Sequence, residues 1–592
     1  MPEKNKYTIE NIYQGGYSTF KPYANAIYFP VGKFAETTNP RTANILKEVS
    51  DKLASGTKNV EIEGLSSEVF ESIPQQYFKE VKRLTKLTGT DVSVHAPVID
   101  TAGFEPRSGN WSETQREIAE IKVAQALIRS HDIKPDGNVT VNFHSAEGIP
   151  GSQFLPPSQR EKNKEYRRMI VVNRETGRLI PLETEKEFYP GEEIKERIVT
   201  PEERLKRMNA TEWDNSISQL VFNKERADEI LQRNRPLIEH LMQDLDTGKY
   251  KLQDLPEPQR EVWRKVQTVN SYLEDIHKNI TGLFSKAYEN GNEKQKEELK
   301  IISNSFGEQL KQNHGNIFVM AKAMDDLMFK LKNPGLAPIM NIPIDQFAVE
   351  NSSKTFGNAA FQTYKKFKDK SPLLVIENPP AGFALSTGED IKNIVEGSRK
   401  QFVENAVKGG MGEQEAKNAA SKLIGATIDV GHINMLKKYG YNDKEIAKEV
   451  GKVAPYLKHV HLSDNFGVEH TELPMGMGNV PMKEMLEQLK SKGVDITGMT
   501  KVVELNQVAR DSGISSLYTT LENIGSPIYS TRVAPYWNQA VGLHQNYFGG
   551  YGLMLPQVNY ETFGAGFSTL PMDLGGQRLG AQGSRVSGRG ME

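Results

Sequence analysis

IGATIDVGH, residues 424–432, is a short apolar run that closes on a carboxylate, Asp429, and three residues later on an imidazole, His432. Read as a strand, it ends at Asp429 and lets His432 turn over the strand end, so one short motif offers two metal ligands. The pattern repeats on both sides. Downstream, LKHVHLSD (457–464) carries His461 and KVVELN (501–506) carries Glu504. Upstream, LLVIENP (373–379) ends near Glu377, NVTVNFHS (138–145) near His144 and DVSVHAP (91–97) near His95. Two further runs, NVEIEGL (59–65) and AIYFPV (26–31), bring the strands to eight.

Amphipathic helical stretches separate the runs, among them 39–56, 112–130, 442–457 and 481–493. Strands alternating with helices imply a parallel sheet, and eight such units imply an α/β fold, a (β/α)8 TIM barrel. In that architecture the loops at the C-terminal strand ends converge on one mouth, which is where these residues fall. A doubly wound open sheet is the alternative, but it would gather such groups at one switch point and not on six consecutive strands.

With His470 and Glu472 of HTELPMGMG (470–478), the candidate metal ligands are His95, His144, Glu377, Asp429, His432, His461, His470, Glu472 and Glu504. A single strand-end His is more often a hydrogen-bonded structural residue than a ligand. Nine such groups at one mouth call for cations, because buried imidazoles and carboxylates are costly unless paired or metal-bound. The 592 residues contain no Cys, which excludes disulfides and thiolate sites, and the remaining ligand types suit Zn, Mn or Fe. His459, two residues before His461, shares its strand face one layer deeper and is not counted as a ligand. Asp464 is expected to orient a ligand or cap the next helix, and Asn378 and Asn506 to touch substrate or to serve their loops.

Apolar content of 37%, charged content of 25% and a net charge of −2 describe a globular chain whose overall charge does not advertise nucleic acid. No apolar stretch reaches the roughly 18 residues of a membrane span, and the N-terminus lacks a signal-peptide core, so a cytoplasmic protein with no membrane partner is expected. The expected organisation is barrel strands 1–4 in 1–149, a mainly helical insertion in 150–345, strands 5–8 in 346–525, and a partly disordered Gly- and aromatic-rich extension in 526–592. Within the insertion, Leu237, Ile238, Leu241, Met242 and Leu245 are expected on one helix face behind Pro236. The insertion leaves the strand carrying His144 and can serve as a lid, a substrate platform or a solvated decoration. Arg578, Arg585 and Arg589 accompany the aromatic residues of the tail, which can stack on bases or pack on protein.

In order and context these motifs resemble the endonuclease IV family (AP endonuclease family 2) of the xylose-isomerase-like TIM-barrel superfamily, over about residues 26–150 and 345–525. The resemblance implies up to three divalent metals, Zn ions, that cleave a DNA phosphodiester at an abasic site. It assigns His95, His144 and Glu377 to one metal, Glu377, Asp429, His461 and Glu504 to a second, and His432, His470 and Glu472 to the third. Three departures bear on substrate. The third-metal pair runs His-x-Glu where the family has Asp-x-His; Val98 stands where the family has an aromatic wedge; and the insertion replaces a short connection.

The leading expectation is therefore a metal-dependent hydrolase, a phosphodiesterase acting on DNA, with Glu377 and Glu504 as catalytic carboxylates. The alternative is a metal-dependent sugar isomerase or epimerase of the same superfamily, acting on a sugar or sugar phosphate. It needs only Glu377, Asp429, His461 and Glu504, with Glu377 and Glu504 as acid and base. A third reading, a non-catalytic assembly or nucleic-acid-binding protein on a barrel scaffold, leaves the concentrated charge at the mouth without a purpose.

Overall fold

The computed structural model describes residues 31–504, except 55, 65, 106–108, 147, 152–155, 157, 159–167, 189–195, 313–315 and 497, together with 517 and 520. The first four strands are β1 (Phe34–Thr37), β2 (Asn59–Glu63), β3 (Asp91–His95) and β4 (Thr140–His144). A second group follows: β5 (Arg168–Asn173), β6 (Leu179–Glu183), β7 (Glu185–Phe188), β8 (Glu196–Val199) and β9 (Asn341–Pro343). The last four are β10 (Leu373–Glu377), β11 (Ile424–Asp429), β12 (Leu457–Leu462) and β13 (Lys501–Val503).

Strands β1–β4 and β10–β13 close into an eight-stranded barrel in the order β1-β13-β12-β11-β10-β4-β3-β2, with every pair parallel. The chain is thus an α/β TIM barrel. The register sets Glu377 beside His144, Asp429 beside His461, and Glu63 beside His95. Beyond the strands the ladder continues at the mouth: Ser145 N–H donates to Glu377 C=O at 2.9 Å and Glu504 N–H to Leu462 C=O at 3.1 Å. The strand ends that carry the candidate ligands are therefore tied edge to edge.

Helix boundaries follow local chemistry. Capping boxes start Gly388–Lys408, through Thr387 and Asp390, and Asp443–Val453, through Asn442 and Glu445. Gly89, at φ 65°, ends Gln75–Thr88 in the left-handed conformation that glycine adopts without strain.

One expectation needs correction. AIYFPV, apart from Val31, lies outside the described residues, and the first barrel strand is Phe34–Thr37. FAET has only two apolar residues among its four and so carries no strand pattern of its own. Yet Glu36 and Thr37 are buried, and Lys52 pairs with Glu36 at 2.9 Å.

By their internal contacts, residues 102–117 and 148–351 group into a second unit, and the remainder forms the barrel unit. The second unit contains strands as well as the expected helices. β5 pairs antiparallel with β6 and β9, and β7 pairs with β8. The charge of this stretch masked its pattern: Val171 and Val172 are buried, but β7 reads EKEF and is mostly exposed. The helices run Pro201–Arg233, Arg235–Asp246, Glu257–Asn290, Glu293–Gln312 and Ile317–Leu331. They share a core that includes Trp213, Ile217, Leu273, Ile280, Leu299 and Leu331. Of the apolar face proposed behind Pro236, Ile238 and Leu241 are buried and Leu237 is exposed, since the i, i+3 line points inward and its neighbour does not. The tail aromatics and arginines lie outside the described residues. Among the described residues, no helix is long and apolar enough to cross a membrane.

Candidate metal centre

Asp429 shows how local structure builds the site. Its side chain caps the short helix Val430–Asn434, Oδ1 accepting His432 N–H at 2.6 Å, so the chain turns at once and His432 folds back over the strand end. Ser463 Oγ also donates to both Asp429 oxygens, at 3.2 and 3.3 Å. Asn378 braces the same turn: its amide donates to Asp429 C=O and its Oδ1 accepts Asp429 N–H. Asn378 is fully buried, and these two bonds brace the backbone of the turn. Asn506 lies outside the described residues.

Glu377 occupies the middle of the site. His95 Nε2 lies 3.3 Å and His144 Nε2 3.5 Å from its Oε2, while His461 Nδ1 lies 3.0 Å from its Oε1. The Asn142 amide also donates to Oε2. On the other side, Glu504 Oε1 comes within 2.8 Å of His461 Nδ1. His95, Glu377, His461 and Glu504 thus present ligand atoms all within 4.8 Å of one another, close enough to share one cation. The resemblance places His95 and His144 together with Glu377 on one cation; among the described residues, His144, Glu377 and His432 also bring ligand atoms within 4.8 Å of one another. Asp429 groups with His432 and Glu504, and His432 groups with His470 and Glu472.

The loop after β12 carries His470 and Glu472. His470 Nε2 is 3.1 Å from Glu472 Oε1 and 2.7 Å from His432 Nε2, and His432 Nδ1 faces Asn378 C=O at 2.9 Å. Glu472 has φ 41°, a left-handed conformation that is costly for a residue with a Cβ and that gathers at functional sites. Asp464 anchors the loop. It exchanges two 2.7 Å backbone bonds with Leu473, and its buried carboxylate accepts N–H bonds from Asn465, Gly476, Gly478 and Val480 at 2.8–3.1 Å.

Electrostatics mark the centre as a place that demands positive charge. Burial favours a neutral Glu377, but His461 and His144 outweigh it and hold the carboxyl well below the usual range. Burial likewise disfavours protonated His461, yet the charges of Glu377, Glu504 and Glu61 raise it well above an ordinary imidazole. His95 is opposed by burial but raised to about 10 by Glu377. Burial pushes His144 down to about 3 and, with the help of the Glu377 charge, pushes Asp429 up to about 7. Glu504 is raised, chiefly by burial.

Lone pairs complete the test of whether a metal fits. Glu377 Oε1, Glu61 Oε1 and both ring nitrogens of His461 are buried without a properly directed hydrogen bond, although carboxylate and ring lie about 3 Å apart. Hard oxygen and imidazole donors that converge with no directed partner fit a divalent cation.

Sequence reasoning missed Glu61. It lies in mid-strand on β2, fully buried, with Oε1 3.0 Å from His461 Nε2 and Oε2 3.0 Å from His459 Nε2. The alternation in NVEIE reads as one wet face, the ordinary meaning of that pattern. The usable signal was a carboxylate inside a parallel strand whose faces should both be covered. His459, set aside as a ligand to the mouth, is buried against Glu61.

Residues 414–515, which span Asp429, His432, His461, His470, Glu472 and Glu504, match the family model described as Xylose isomerase-like TIM barrel. An uncharacterised protein of Methanocaldococcus jannaschii is 35% identical over 79 residues, which is 13% of this chain and 26% of that protein. The chain therefore matches about a quarter of that relative's length. Among solved structures, a D-tagatose 3-epimerase-like protein aligns over 83% of this chain and 94% of its own, at 12% identity and a TM-score of 0.36. A D-psicose 3-epimerase from Clostridium cellulolyticum H10, solved with D-tagatose, aligns over 83% and 96%, at 8% identity and a TM-score of 0.35. The molecule is an eight-stranded α/β TIM barrel, similar over residues 414–515 to that family model, with buried His and Glu clusters suited to a divalent metal.

Proposed function

We propose that the barrel mouth is the active site of a divalent-metal-dependent sugar isomerase or epimerase, built on one principal cation position at Glu377, His461 and Glu504. One observation carries this reading: the buried ligand atoms without directed partners crowd around Glu377 and His461, while the outer groups satisfy one another. Asp429 is bonded to Ser463 and to the His432 N–H, His432 to Asn378 and His470, and His470 pairs with Glu472. A cation bound at the centre would polarise a carbonyl or hydroxyl of the substrate. Glu377 and Glu504 flank the same point and supply the proton-transfer groups. A carboxylate oxygen takes the proton from the carbon beside the carbonyl, and the C–H electron pair moves toward the carbonyl oxygen. Return of a proton at the former carbonyl carbon, with the adjacent hydroxyl's proton passing to the first oxygen, gives an isomer; return at the same carbon on its other face gives an epimer.

The test is incubation of the metal-loaded protein with a panel of ketoses in D2O. Deuterium should enter the carbon next to the carbonyl, and Glu504→Gln should abolish that exchange. No exchange with any sugar would remove the reading.

Phosphodiester hydrolysis of the endonuclease IV type is the second reading, and a specific observation favours it: His432, His470 and Glu472 lie within ligand reach of one another outside the centre. Nicking of an abasic duplex that depends on both Glu377 and His470, without sugar exchange, would establish it in place of the first.

A further inference from the structure

We propose that Lys458 and Arg399 form a phosphate-binding site at the end of the barrel opposite the mouth, separate from the metal centre and independent of the function proposed for it.

Lys458 is the second residue of β12. Ala426 pairs with Leu457 and Thr427 with His459, so Lys458 is the extra residue of a β-bulge. Bulges are rare between parallel strands, and they re-aim a side chain. The Lys458 stem crosses the neighbouring strand at Gly425, where a Cβ would stand 2.4, 2.7 and 2.8 Å from Lys458 Cδ, Cε and Cγ. Only glycine leaves that path open. Arg399, on the helix Gly388–Lys408, reaches the same strand end. Its Nε and Nη2 donate to Ile424 C=O at 3.1 and 2.7 Å, and Nη2 also reaches Ser421 C=O at 3.4 Å. The guanidinium carbon lies 5.1 Å from the centre of the Tyr456 ring. These contacts fix the plane of the fork and leave Nη1 without an acceptor among the described residues.

Two half-buried cations thus converge beside residues 424 and 425. Burial disfavours the charge on both, and the Arg399 charge disfavours it further on Lys458. Glu396, which accepts the Tyr456 O–H, offsets part of this at Arg399. At Lys458 no carboxylate does so. Packing does not explain the arrangement, because an uncharged stem of similar length would cover Gly425 as well. An oxyanion held between Lys458 Nζ and the open edge of Arg399 satisfies both by charge-assisted bonds. Phosphate matches a planar fork beside a point charge.

Calorimetric titration of the full chain with inorganic phosphate and, separately, with AMP, at fixed ionic strength, compares wild type and Lys458→Met. Thermal unfolding of each is followed with and without the anion. The wild type should bind saturably and unfold at higher temperature as anion is added. Tighter binding of AMP assigns the site to phosphate carried on a larger molecule, and equal or tighter binding of inorganic phosphate assigns it to the free ion. Lys458→Met should weaken the affinity about 10- to 100-fold. A lysine that only covers Gly425 leaves the affinity unchanged, and so does phosphate held at the metal centre instead. Equal affinity in wild type and Lys458→Met therefore overturns the proposal, as does a wild type that binds neither anion at millimolar concentration. If Lys458→Met does not fold, Arg399→Lys, which keeps the charge and loses the fork, decides: unchanged affinity overturns the proposal and weakened affinity supports it.

Discussion

Asp464→Asn should release the loop that carries His470 and Glu472 while leaving the barrel folded. The Asp464 carboxylate divides its four acceptor contacts evenly: Oδ1 takes the N–H groups of Asn465 and Val480, and Oδ2 those of Gly476 and Gly478. Burial raises this carboxyl, and the four N–H groups oppose the rise. Asparagine keeps one oxygen and turns an NH2 toward two backbone donors. Two charge-assisted bonds are lost, each worth about 1.5–3 kcal/mol net, and non-additivity places the total at about 3–4 kcal/mol. The cost falls on residues 465–480, because the barrel ladder does not depend on them. Gly478 cannot compensate by shifting inward: a Cβ there would lie 2.4 Å from Asp464 Oδ1, so the backbone is already at contact. Amide hydrogen exchange at Gly476 and Gly478 should therefore accelerate about 100- to 1,000-fold, since 1.4 kcal/mol is tenfold. Strand β11 should exchange as in the wild type. Exchange at both glycines within threefold of wild type would refute the claim that Asp464 holds the loop.

Other consequences follow from single groups. Lys501 is buried beside the Phe34 ring and donates to Met499 C=O at 2.8 Å; burial lowers it to about 8 despite Asp495, with Lys33 adding to the fall. Because its folded pKa is depressed, the unfolded chain holds the extra proton between about pH 8 and 10.4, so this group's contribution to stability rises with pH across that window. Lys501→Met should raise stability at pH 7 by about 1–2 kcal/mol after its lost contacts are counted, with the gain fading by pH 10 in urea titrations. Gly388→Ala should cost about 3 kcal/mol by the same assay, because a Cβ there would stand 1.9 Å from Glu449 C=O. In the second unit, Lys224 is buried between Asp228 and Asp325. Lys224→Ala should lower that unit's stability by about 2 kcal/mol and leave metal affinity unchanged, as thermal unfolding and chelator competition would show.

The barrel was legible because seven of its strands are compact runs with turn signals at both ends, and the eighth was misplaced because FAET has no apolar period. The mouth was legible for a related reason: His95, His144, Glu377, Asp429 and His461 end or nearly end their strands, and a strand end is visible in one dimension. What remained hidden depends on contacts across the barrel. Glu61 sits within a strand whose alternation looks ordinary, and its histidine partner His459 lies 398 residues away in sequence. Which ligand atoms converge was equally out of reach, since the approach of His144 to His432 depends on where two different strands aim their side chains. The sheet in the second unit was obscured by surface charge, which says where water is and little about backbone pairing.

Metal content per folded chain tests the central claim most directly. After purification and exhaustive dialysis against metal-free buffer, elemental analysis should find close to one tightly held divalent ion in the wild type and almost none in Glu377→Gln. Close to three ions per chain, or one that survives Glu377→Gln, would contradict a principal centre built on Glu377 and His461.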